Sequence, residues 1–424
     1  MDDHTPLVVA IFVIVYVGMI LGGLPRLKLD RTGVALLGAI AIVGLGDLTP
    51  EEAARAIHLP TILLLFGFMV ISAQMRLGGF YAAVTRRIVA LPVSPAALLA
   101  LVIGAAGGLS AVFSNDIVCL AMAPVLVHAC ASRRLDPVPY LLALACAANI
   151  GSAATLIGNP QNMLIGEVLA LSFGAYLLDA LPPVLAGLAV LWLLLLRSLG
   201  PPGPPGPLAA GGAIAPLPGA DGGEGPPFDA WQSAKGLAVA AVLMGVFLFT
   251  DWPRDVAALV GAGLLLLSAR FHTRQVTALI DWDLLVLFMA LFVVNHALAS
   301  TGATAQAVGW LQRGGLDLAA GAPLFGAAVL LSNLVSNVPA VMLLLPLAGA
   351  ADAAVHATGV VLALASTLAG NLLIVGSIAN IIVVDAARRQ GVVIHWRRHA
   401  RTGVPVTLAT LALAALWLAW RGML

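Results

Sequence analysis

The chain has 424 residues, of which 61% are hydrophobic and only 10% are charged. Soluble domains carry about 25% charged residues, so this composition excludes an ordinary water-exposed surface and indicates a protein surrounded by lipid. The formal net charge of +1 gives no sign of a nucleic-acid partner. The start Met1-Asp2-Asp3-His4 lacks the basic residues of a secretory signal, so we expect the first apolar run to remain as a membrane span.

Continuous apolar runs follow one another along the chain. Most of them approach the roughly 17–25 residues that a helix needs to cross hydrocarbon, and they are not alternating, so they predict membrane helices. In the first part they cover about 7–24, 33–46, 61–77, 97–113, 117–131, 138–157 and 181–197. In the second part they cover about 235–250, 256–269, 283–300, 320–334, 338–356, 359–384 and 404–421.

One segment interrupts this pattern at 198–234. It opens on a Pro/Gly run from Gly200 to Gly206 and contains little that could pack, so it predicts a solvated linker. The chain therefore divides into a first repeat at 1–197, the linker, and a second repeat at 235–424.

Polar positions recur between the two halves at a nearly constant offset in the numbering. The offset is 222 from Ser114-Asn115 to Ser336-Asn337, and it is the same from Asn149 to Asn371. Further matches pair Pro124 with Pro346 at 222, Gly79 with Gly302 at 223, and Gly158 and Asn162 with Gly376 and Asn380 at 218. Because several polar positions repeat in an apolar chain, the pattern predicts an internal repeat.

The positions of the basic residues predict the topology, since short cytoplasmic loops are enriched in Lys and Arg. If 97–131 and 320–356 are re-entrant hairpins, each half has five spans and one hairpin, and the second half is inverted. Both termini then lie outside the cell, the linker lies inside, and all five basic clusters lie inside. The clusters are Arg26-Lys28-Arg31, Arg76 with Arg86-Arg87, Arg133-Arg134, Arg270-His272-Arg274, and Arg388-Arg389 with Arg397-Arg398-Arg401.

Four polar clusters mark the predicted binding site: two hairpin tips and two helices broken by Gly or Pro in the membrane. Irregular backbone at that depth is tolerated only against protein or a wet cavity, and half-helix ends there suit ions. The alternative is hydrogen bonding between helices. The candidate binding residues are Ser114, Asn115, Asp116, Asn149, Ser152, Thr155, Gly158, Asn159, Asn162, Ser336, Asn337, Asn371, Gly376, Ser377 and Asn380.

Asp116 is the acidic residue that falls deep inside a predicted membrane segment. Intramembrane carboxylates usually lie on ion pathways, so we predict that Asp116 couples transport to H⁺ or Na⁺; the alternative is a helix cap. His128 and His296 are secondary candidates for a proton relay, with hydrogen bonding between helices as the alternative. Three cysteines, Cys119, Cys130 and Cys146, lie in apolar runs and are interpreted as buried hydrophobes, with a soft metal or metalloid site as the alternative. No cofactor is predicted.

These motifs resemble those of the ion transporter superfamily, which includes arsenite efflux permeases, citrate and dicarboxylate transporters and sodium/proton antiporters. Asn115-Asp116 with Pro124 resembles the tip of the arsenite-permease branch, and the nearest resemblance is to citrate-transporter-like and arsenite-permease-like bacterial proteins. The resemblance implies an elevator-type transporter of the inner membrane, a homodimer in many members. Dicarboxylate transporters carry Ser-Asn-Thr at both tips, whereas this chain has Asp116 and Val338, which favours proton linkage.

The leading functional hypothesis is secondary transport of a small anion, an oxyanion, an arsenite-like metalloid hydroxide or an organic anion. Sodium/proton antiport is the alternative within transport. An intramembrane enzyme is the alternative from another class, but the sequence contains neither a His-Glu-x-x-His motif nor a Gly-x-Ser-x-Gly motif. The chain also lacks a Walker A loop, so an ATPase would have to be a separate subunit.

Overall fold

The computed structural model of the chain describes residues 5–24, 27–199, 226–347 and 355–424. Within these ranges the secondary structure is helical, with no β-strand. Four predicted features lie wholly or partly outside the described residues: the N-terminal residues 1–4, Arg26 of the first basic cluster, the linker from 200 to 225, and the segment 348–354 of the predicted hairpin at 320–356.

The first half contains ten helices among the described residues. They are α1 (Thr5–Leu21), α2 (Arg31–Gly44), α3 (Pro50–Ala56), α4 (Leu59–Leu77), α5 (Phe80–Ala90), α6 (Pro95–Val112), α7 (Asn115–Ser132), α8 (Pro137–Ser152), α9 (Pro160–Val168) and α10 (Phe173–Leu196).

The second half contributes ten more described helices and a single 3₁₀ turn, Ile374–Gly376. They are α11 (Ala230–Phe249), α12 (Arg254–Leu266), α13 (Thr273–Thr277), α14 (Trp282–Ser300), α15 (Ala303–Arg313), α16 (Gly321–Val335), α17 (Asn337–Leu347), α18 (Val355–Ala369), α19 (Ile378–Arg389) and α20 (Trp396–Trp420).

Seven of the described helices are long and apolar enough to cross a membrane: α4, α6, α7, α10, α11, α14 and α20. Shorter apolar helices of 10–17 residues account for most other predicted runs. The all-helical membrane fold is therefore confirmed. Helices α6 and α7 reach spanning length, but their joined ends are buried inside the protein, the location that re-entrant hairpins require. Their depth in the bilayer stays a prediction.

Several predicted boundaries move by one or two helical turns. Helix α10 begins at Phe173, although its apolar run begins near 181, because Ser172 caps the amide of Ala175. Helix α11 begins at Ala230, inside the predicted linker, because Asp229 caps the amide of Gln232. The linker end is also packed rather than solvated, since the amide of Asp229 donates to the carbonyl of Gly78 at 2.9 Å.

The same order of elements appears in both halves. A long helix, α4 or α14, is followed by a short one, then by a helical hairpin, a broken helix and a final long helix. The short helices α5 and α15 both follow a glycine in the left-handed conformation, Gly79 with φ 69° and Gly302 with φ 76°. This parallel agrees with the predicted repeat; the inversion of one half relative to the other stays a prediction.

Sixteen of the twenty described helices fall into two packing groups. The flanking helices are α1, α2, α4, α11, α12 and α14, which pair as α2 with α14, α4 with α12, and α11 with α12. The central helices are α6–α10 and α16–α20, which pair as α6 with α8, α16 with α18, and α10 with α20. Glycines permit the closest crossings, because a Cβ on Gly151 would overlap the backbone of Gly107 in the α6–α8 pair.

Long-range ion pairs are consistent with the predicted topology. Four of them join chain positions that the predicted threading puts on the same side of the membrane, although the two partners are distant in the sequence. They are Asp136–Arg398 and Asp229–Arg270 on the predicted inner side, and Glu167–Arg254 and Asp179–Arg421 on the predicted outer side.

Candidate functional site

The tip of the first hairpin lies against the broken helix of its own half. Helix α6 ends at Val112 and α7 begins at Asn115, whose side chain is buried. The backbone amide of Asn115 donates to the carbonyl of Gly158 at 3.3 Å, and its Nδ2 donates to Oδ1 of Asn149 at 3.2 Å. The irregular turn is thereby held by protein groups, as an unpaired backbone inside a membrane protein requires.

The tip of the second hairpin contacts both halves. With its amide oxygen turned toward Gln161, Asn337 accepts from Gln161 Nε2 at 3.2 Å. Its amide nitrogen then donates to the carbonyls of Ser366 at 3.1 Å and Gly376 at 3.3 Å. Since Gln161 belongs to the first half, the second tip reaches across the boundary between the halves.

Asn149 is the hub that joins the two halves. Its Nδ2 donates to Oδ1 of Asn371 at 2.8 Å and to Oδ1 of Asn380 at 3.3 Å. Its Oδ1 accepts from Asn115 and from the hydroxyl of Ser377 at 2.8 Å. The whole hydrogen-bonding capacity of this amide is therefore used within the protein, so Asn149 positions other groups.

The two broken helices are held open by equivalent asparagines. Asn162 Nδ2 donates to the carbonyls of Ser152 and Thr155, which precede it by 10 and 7 residues. Asn380 Nδ2 donates to the carbonyls of Gly370 and Leu373, which precede it by the same 10 and 7 residues. Both side chains are fully buried. Each side chain donates to backbone carbonyls that lack a helical partner where the helix is unwound. This is a structural role within the predicted site.

The remaining predicted residues of the first broken helix form a continuous network. Asn159 caps α9 by accepting from the amide of Asn162, and its Nδ2 donates to the hydroxyl of Ser152 at 2.9 Å. The hydroxyl of Thr155 donates to the carbonyl of Ala111 in α6. Thr367 in α18 receives hydrogen bonds from the side chains of both Asn159 and Gln161, at 3.4 and 3.1 Å, which adds a second link between the halves.

Five buried polar atoms around the two tips have no hydrogen-bond partner among the described residues. They are Ser110 Oγ, Asn115 Oδ1, Ser332 Oγ, Asn333 Oδ1 and Asn371 Nδ2. Leaving such a group buried and unpaired costs about 1–3 kcal/mol, so their accumulation at one place favours a ligand site.

The candidate site contains amides and hydroxyls rather than cations. Within the described ranges, the hydrogen bonds given above to the tip and broken-helix side chains come from amides and hydroxyls, and none comes from a Lys or Arg. Two ionisable side chains also contact the site: the Tyr176 hydroxyl accepts from Asn162 Nδ2 at 3.0 Å, and Nε2 of His399 in α20 lies 3.2 Å from the carbonyl of Asn371. Asp116 lies in the first turn of α7 beside Asn115, but none of the converging amides contacts its carboxylate, for which the described residues provide no hydrogen bond.

The other candidate residues make none of the hydrogen bonds described at the tips. His128 bonds to the carbonyl of Pro124 in its own helix at 3.1 Å, and His296 is exposed. The three cysteine thiols are buried and free. Among the described residues no group of three His, Cys, Asp or Glu side chains could hold a metal ion, so the soft-metal interpretation gains no support.

The two tips differ in backbone conformation. Ser114 has φ −56° and ψ 122°, an ordinary extended conformation. Ser336 has φ 81° and ψ 161°, a region that is occupied almost only by glycine. Strain of this kind costs of order 1–3 kcal/mol and persists where surrounding contacts over-determine the backbone, which is typical of functional sites.

Several residues of this site are absent from the predicted set. Gln161 belongs to the polar motif of the first broken helix, and Ser332-Asn333 to the Ser-Asn motif of the second hairpin turn, so they had a signal. Thr367 and His399 had none, because only the fold brings them to the tips. Ser110 and Ser332 carried a detectable signal, since the offset between them equals that between the two tip serines, which each of them precedes by one helical turn.

Comparison with known proteins agrees with this architecture. An uncharacterized transporter of Mycobacterium bovis is 30% identical and aligns over 92% of this chain and 94% of its own length. The silicon efflux transporter LSI3 of Oryza sativa subsp. japonica is 28% identical and aligns over 92% of each chain. The crystal structure of the Alcanivorax borkumensis YdaH transporter has a TM-score of 0.57 at 15% identity and covers 99% of this chain and 98% of that one, a likeness of fold.

The model of the citrate transporter family, CitMHS, matches residues 10–369. That family and the two sequence relatives above are transporters, which confirms the prediction that the chain carries a small solute across a lipid bilayer and is not an enzyme. The chain belongs to the citrate transporter family.

Proposed function

We propose that this protein is a secondary transporter for a small hydroxylated solute, with an uncharged metalloid hydroxide of the arsenous or silicic acid type as the favoured substrate. Oxyanions and small organic anions are the neighbouring substrate classes. The proposal further assigns H⁺ or Na⁺ as the coupling ion and elevator-type alternating access as the mechanism.

The observation that carries the proposal is the absence of cationic side chains among the described groups that meet at the two tips. A citrate-like substrate with several negative charges would need compensating positive charges when it leaves water. A neutral hydroxide can instead exchange hydrogen bonds with amides and serines such as Asn115, Asn371 and Ser110, each of which has an unpartnered buried atom. The name of the rice relative, a silicon efflux transporter, supports the same class of substrate.

Asp116 supports ion coupling in this proposal. It lies within the first turn of α7, next to a tip residue, and its counterpart in the second half is Val338. One hairpin therefore carries an ionisable group and the other does not, so proton or cation binding would act on the first hairpin. Sodium/proton antiport is the competing assignment, and Asp116 is the single observation that favours it.

The elevator mechanism is supported by the two packing groups. The central helices carry both hairpins and both broken helices, and the flanking helices pack mainly among themselves. A central group that moves as one body against a flanking group would carry the site across the membrane. We further propose that the protein lies in the inner membrane with both termini outside the cell, and that it forms a homodimer.

A flux assay tests the proposal. The purified chain is reconstituted in liposomes, and uptake of arsenite, silicic acid, citrate, succinate and Na⁺ is compared with and without a proton gradient. We expect arsenite or silicic acid flux to exceed citrate and succinate flux at least tenfold. Asn115→Ala should abolish that flux, and Ser132→Ala, an exposed change at the far end of α7, should leave it unchanged.

Asp116→Asn separates the coupling proposal from the substrate proposal. In this variant we expect downhill metalloid flux to persist while stimulation by the proton gradient is lost. Wild-type stimulation in the variant would remove Asp116 as the coupling residue. Citrate flux that exceeds metalloid flux would contradict the substrate class, and Na⁺ flux alone would favour the antiporter.

A further inference from the structure

Two polar side chains on the long flanking helices contact the hairpins from outside the binding site. They are Ser72 of α4 and Asn295 of α14. The offset between their residue numbers equals the offset between Gly79 and Gly302, the left-handed glycines that follow these helices. Ser72 and Asn295 therefore occupy equivalent positions in the two halves.

Ser72 holds the first hairpin at its tip. The hydroxyl oxygen of Ser72 accepts from the backbone amide of Ser114 at 3.3 Å. Ser114 is the N-cap of α7, so this amide has no partner within the helix that it precedes. A fully buried hydroxyl of a flanking helix thus satisfies a backbone donor that the turn leaves free.

Asn295 holds the second hairpin through a carbonyl that a proline frees. Pro346 lies inside α17 and has no amide proton, so the carbonyl of Met342, four residues earlier, lacks its usual helical partner. Asn295 Nδ2 lies 3.5 Å from that carbonyl. Here the flanking helix supplies a donor to the hairpin, whereas Ser72 supplies an acceptor.

Tyr16 of α1 fixes the orientation of the Asn295 amide. The Tyr16 hydroxyl donates to Oδ1 of Asn295 at 3.2 Å and lies 3.4 Å from the carbonyl of Pro339, three residues past the tip serine. Because Oδ1 faces the tyrosine proton, Nδ2 faces Met342. Two flanking helices, α1 and α14, therefore contact the arm of the second hairpin just after its tip.

We infer that Ser72 and Asn295 are equivalent positioning residues: Ser72 holds the first hairpin at its tip, and Asn295 holds the second hairpin on the arm just after its tip. Tyr16 acts through Asn295 and through its own contact with Pro339. Each hairpin is then located by a separate contact from outside the site. A movement that carries the central helices past the flanking helices would break both contacts. The inference does not depend on which solute is carried.

Amide hydrogen exchange of the full chain in lipid nanodiscs tests this inference without a substrate. Losing one hydrogen bond should speed local exchange about three- to tenfold. Ser72→Ala should do so at the first tip, residues 113–118, and leave residues 336–346 unchanged. Asn295→Leu should give the reverse pattern, and Ser300→Ala, an exposed change on α14, should alter neither hairpin.

Two further variants separate positioning from general stability. Ser72→Thr keeps the hydroxyl and should restore wild-type exchange at the first tip. Tyr16→Phe should speed exchange in residues 336–346. If Asn295→Leu does not assemble, Tyr16→Phe replaces it as the test of the second contact. Unchanged exchange at both tips, or equal acceleration at both tips in each variant, would overturn the inference.

Discussion

The first hairpin tip turns through Ser114 in an ordinary backbone conformation, whereas the second turns through Ser336 with φ 81°. The broken helices also differ, in the position at which each one unwinds. Asn149 lies inside α8, but Asn371 lies beyond the end of α18, because the second broken helix unwinds about one turn earlier. The two halves therefore build one kind of site from different local structures, and each half depends on different residues.

The largest expected difference concerns the paired glycines Gly158 and Gly376. A Cβ on Gly158 would overlap the carbonyl of Ser152 and lie 2.7 Å from that of Ser110, whereas a Cβ on Gly376 would meet its nearest atom, the carbonyl of Gly370, at 3.1 Å. Gly158→Ala should destabilise the protein by about 3 kcal/mol or more, and Gly376→Ala by about 1 kcal/mol.

Thermal unfolding of the purified variants in detergent measures this difference. Gly108→Ala is the matched control, because a Cβ there meets nothing within 4 Å. Equal losses for Gly158→Ala and Gly376→Ala would contradict the asymmetry of the broken helices.

A smaller difference is expected between Asn149 and Asn371. Asn149→Leu removes four hydrogen bonds and leaves Asn371, Asn380, Asn115 and Ser377 without that partner. Asn371→Leu removes only an acceptor, since its Nδ2 is already unpartnered.

The expected costs follow from the number of groups left unpaired. Asn149→Leu should lower the stability by about 3 kcal/mol and Asn371→Leu by about 1–2 kcal/mol. Unfolding curves of the two variants in the same detergent give the comparison. A larger loss for Asn371→Leu would mean that Asn149 is not the hub between the halves.

The smallest expected effects come from replacing the two tip serines with glycine. The stability changes should have opposite signs, because only the second tip is strained. Ser336→Gly should stabilise the protein by about 1 kcal/mol, because glycine occupies this conformation without the Cβ penalty. Ser114→Gly should destabilise it by about 0.5–1 kcal/mol, because Ser114 is unstrained and glycine has more freedom to lose. Opposite shifts in unfolding temperature are expected, and two shifts of the same sign would show that Ser336 is not strained.

The sequence predicted the long helices well, because a helix surrounded by lipid needs a continuous apolar run and such runs are visible in the sequence. The short helices α5, α9 and α15 were missed because they are too short to give a membrane signal. The asparagine clusters were detectable because amides are rare in apolar runs. The pairings between residues were not detectable, because contacts such as Asn149 with Asn380 and Gln161 with Thr367 depend on how distant segments pack.

Two further points could not come from the sequence. The motif gives no sign that Asn162 and Asn380 hold unwound backbone, since that role depends on where the freed carbonyls lie. The repeat also gave no warning that Ser114 and Ser336, identical residues at matching positions, adopt different conformations. The repeat identifies residues at corresponding positions, but the local backbone conformation decides the role of each residue.

Cysteine cross-linking tests most directly whether the second tip lies against the first half. In a background without the native cysteines, Gln161→Cys and Asn337→Cys are combined in the full chain in lipid, and mass spectrometry detects the linked peptides. We predict rapid linkage by a short bifunctional thiol reagent. A control pairs Asn337→Cys with Ser132→Cys, at the far end of the 18-residue α7 and about 27 Å from its tip, and should not link. Failure of the first pair to link, with both thiols reactive, would contradict a site shared by the two halves.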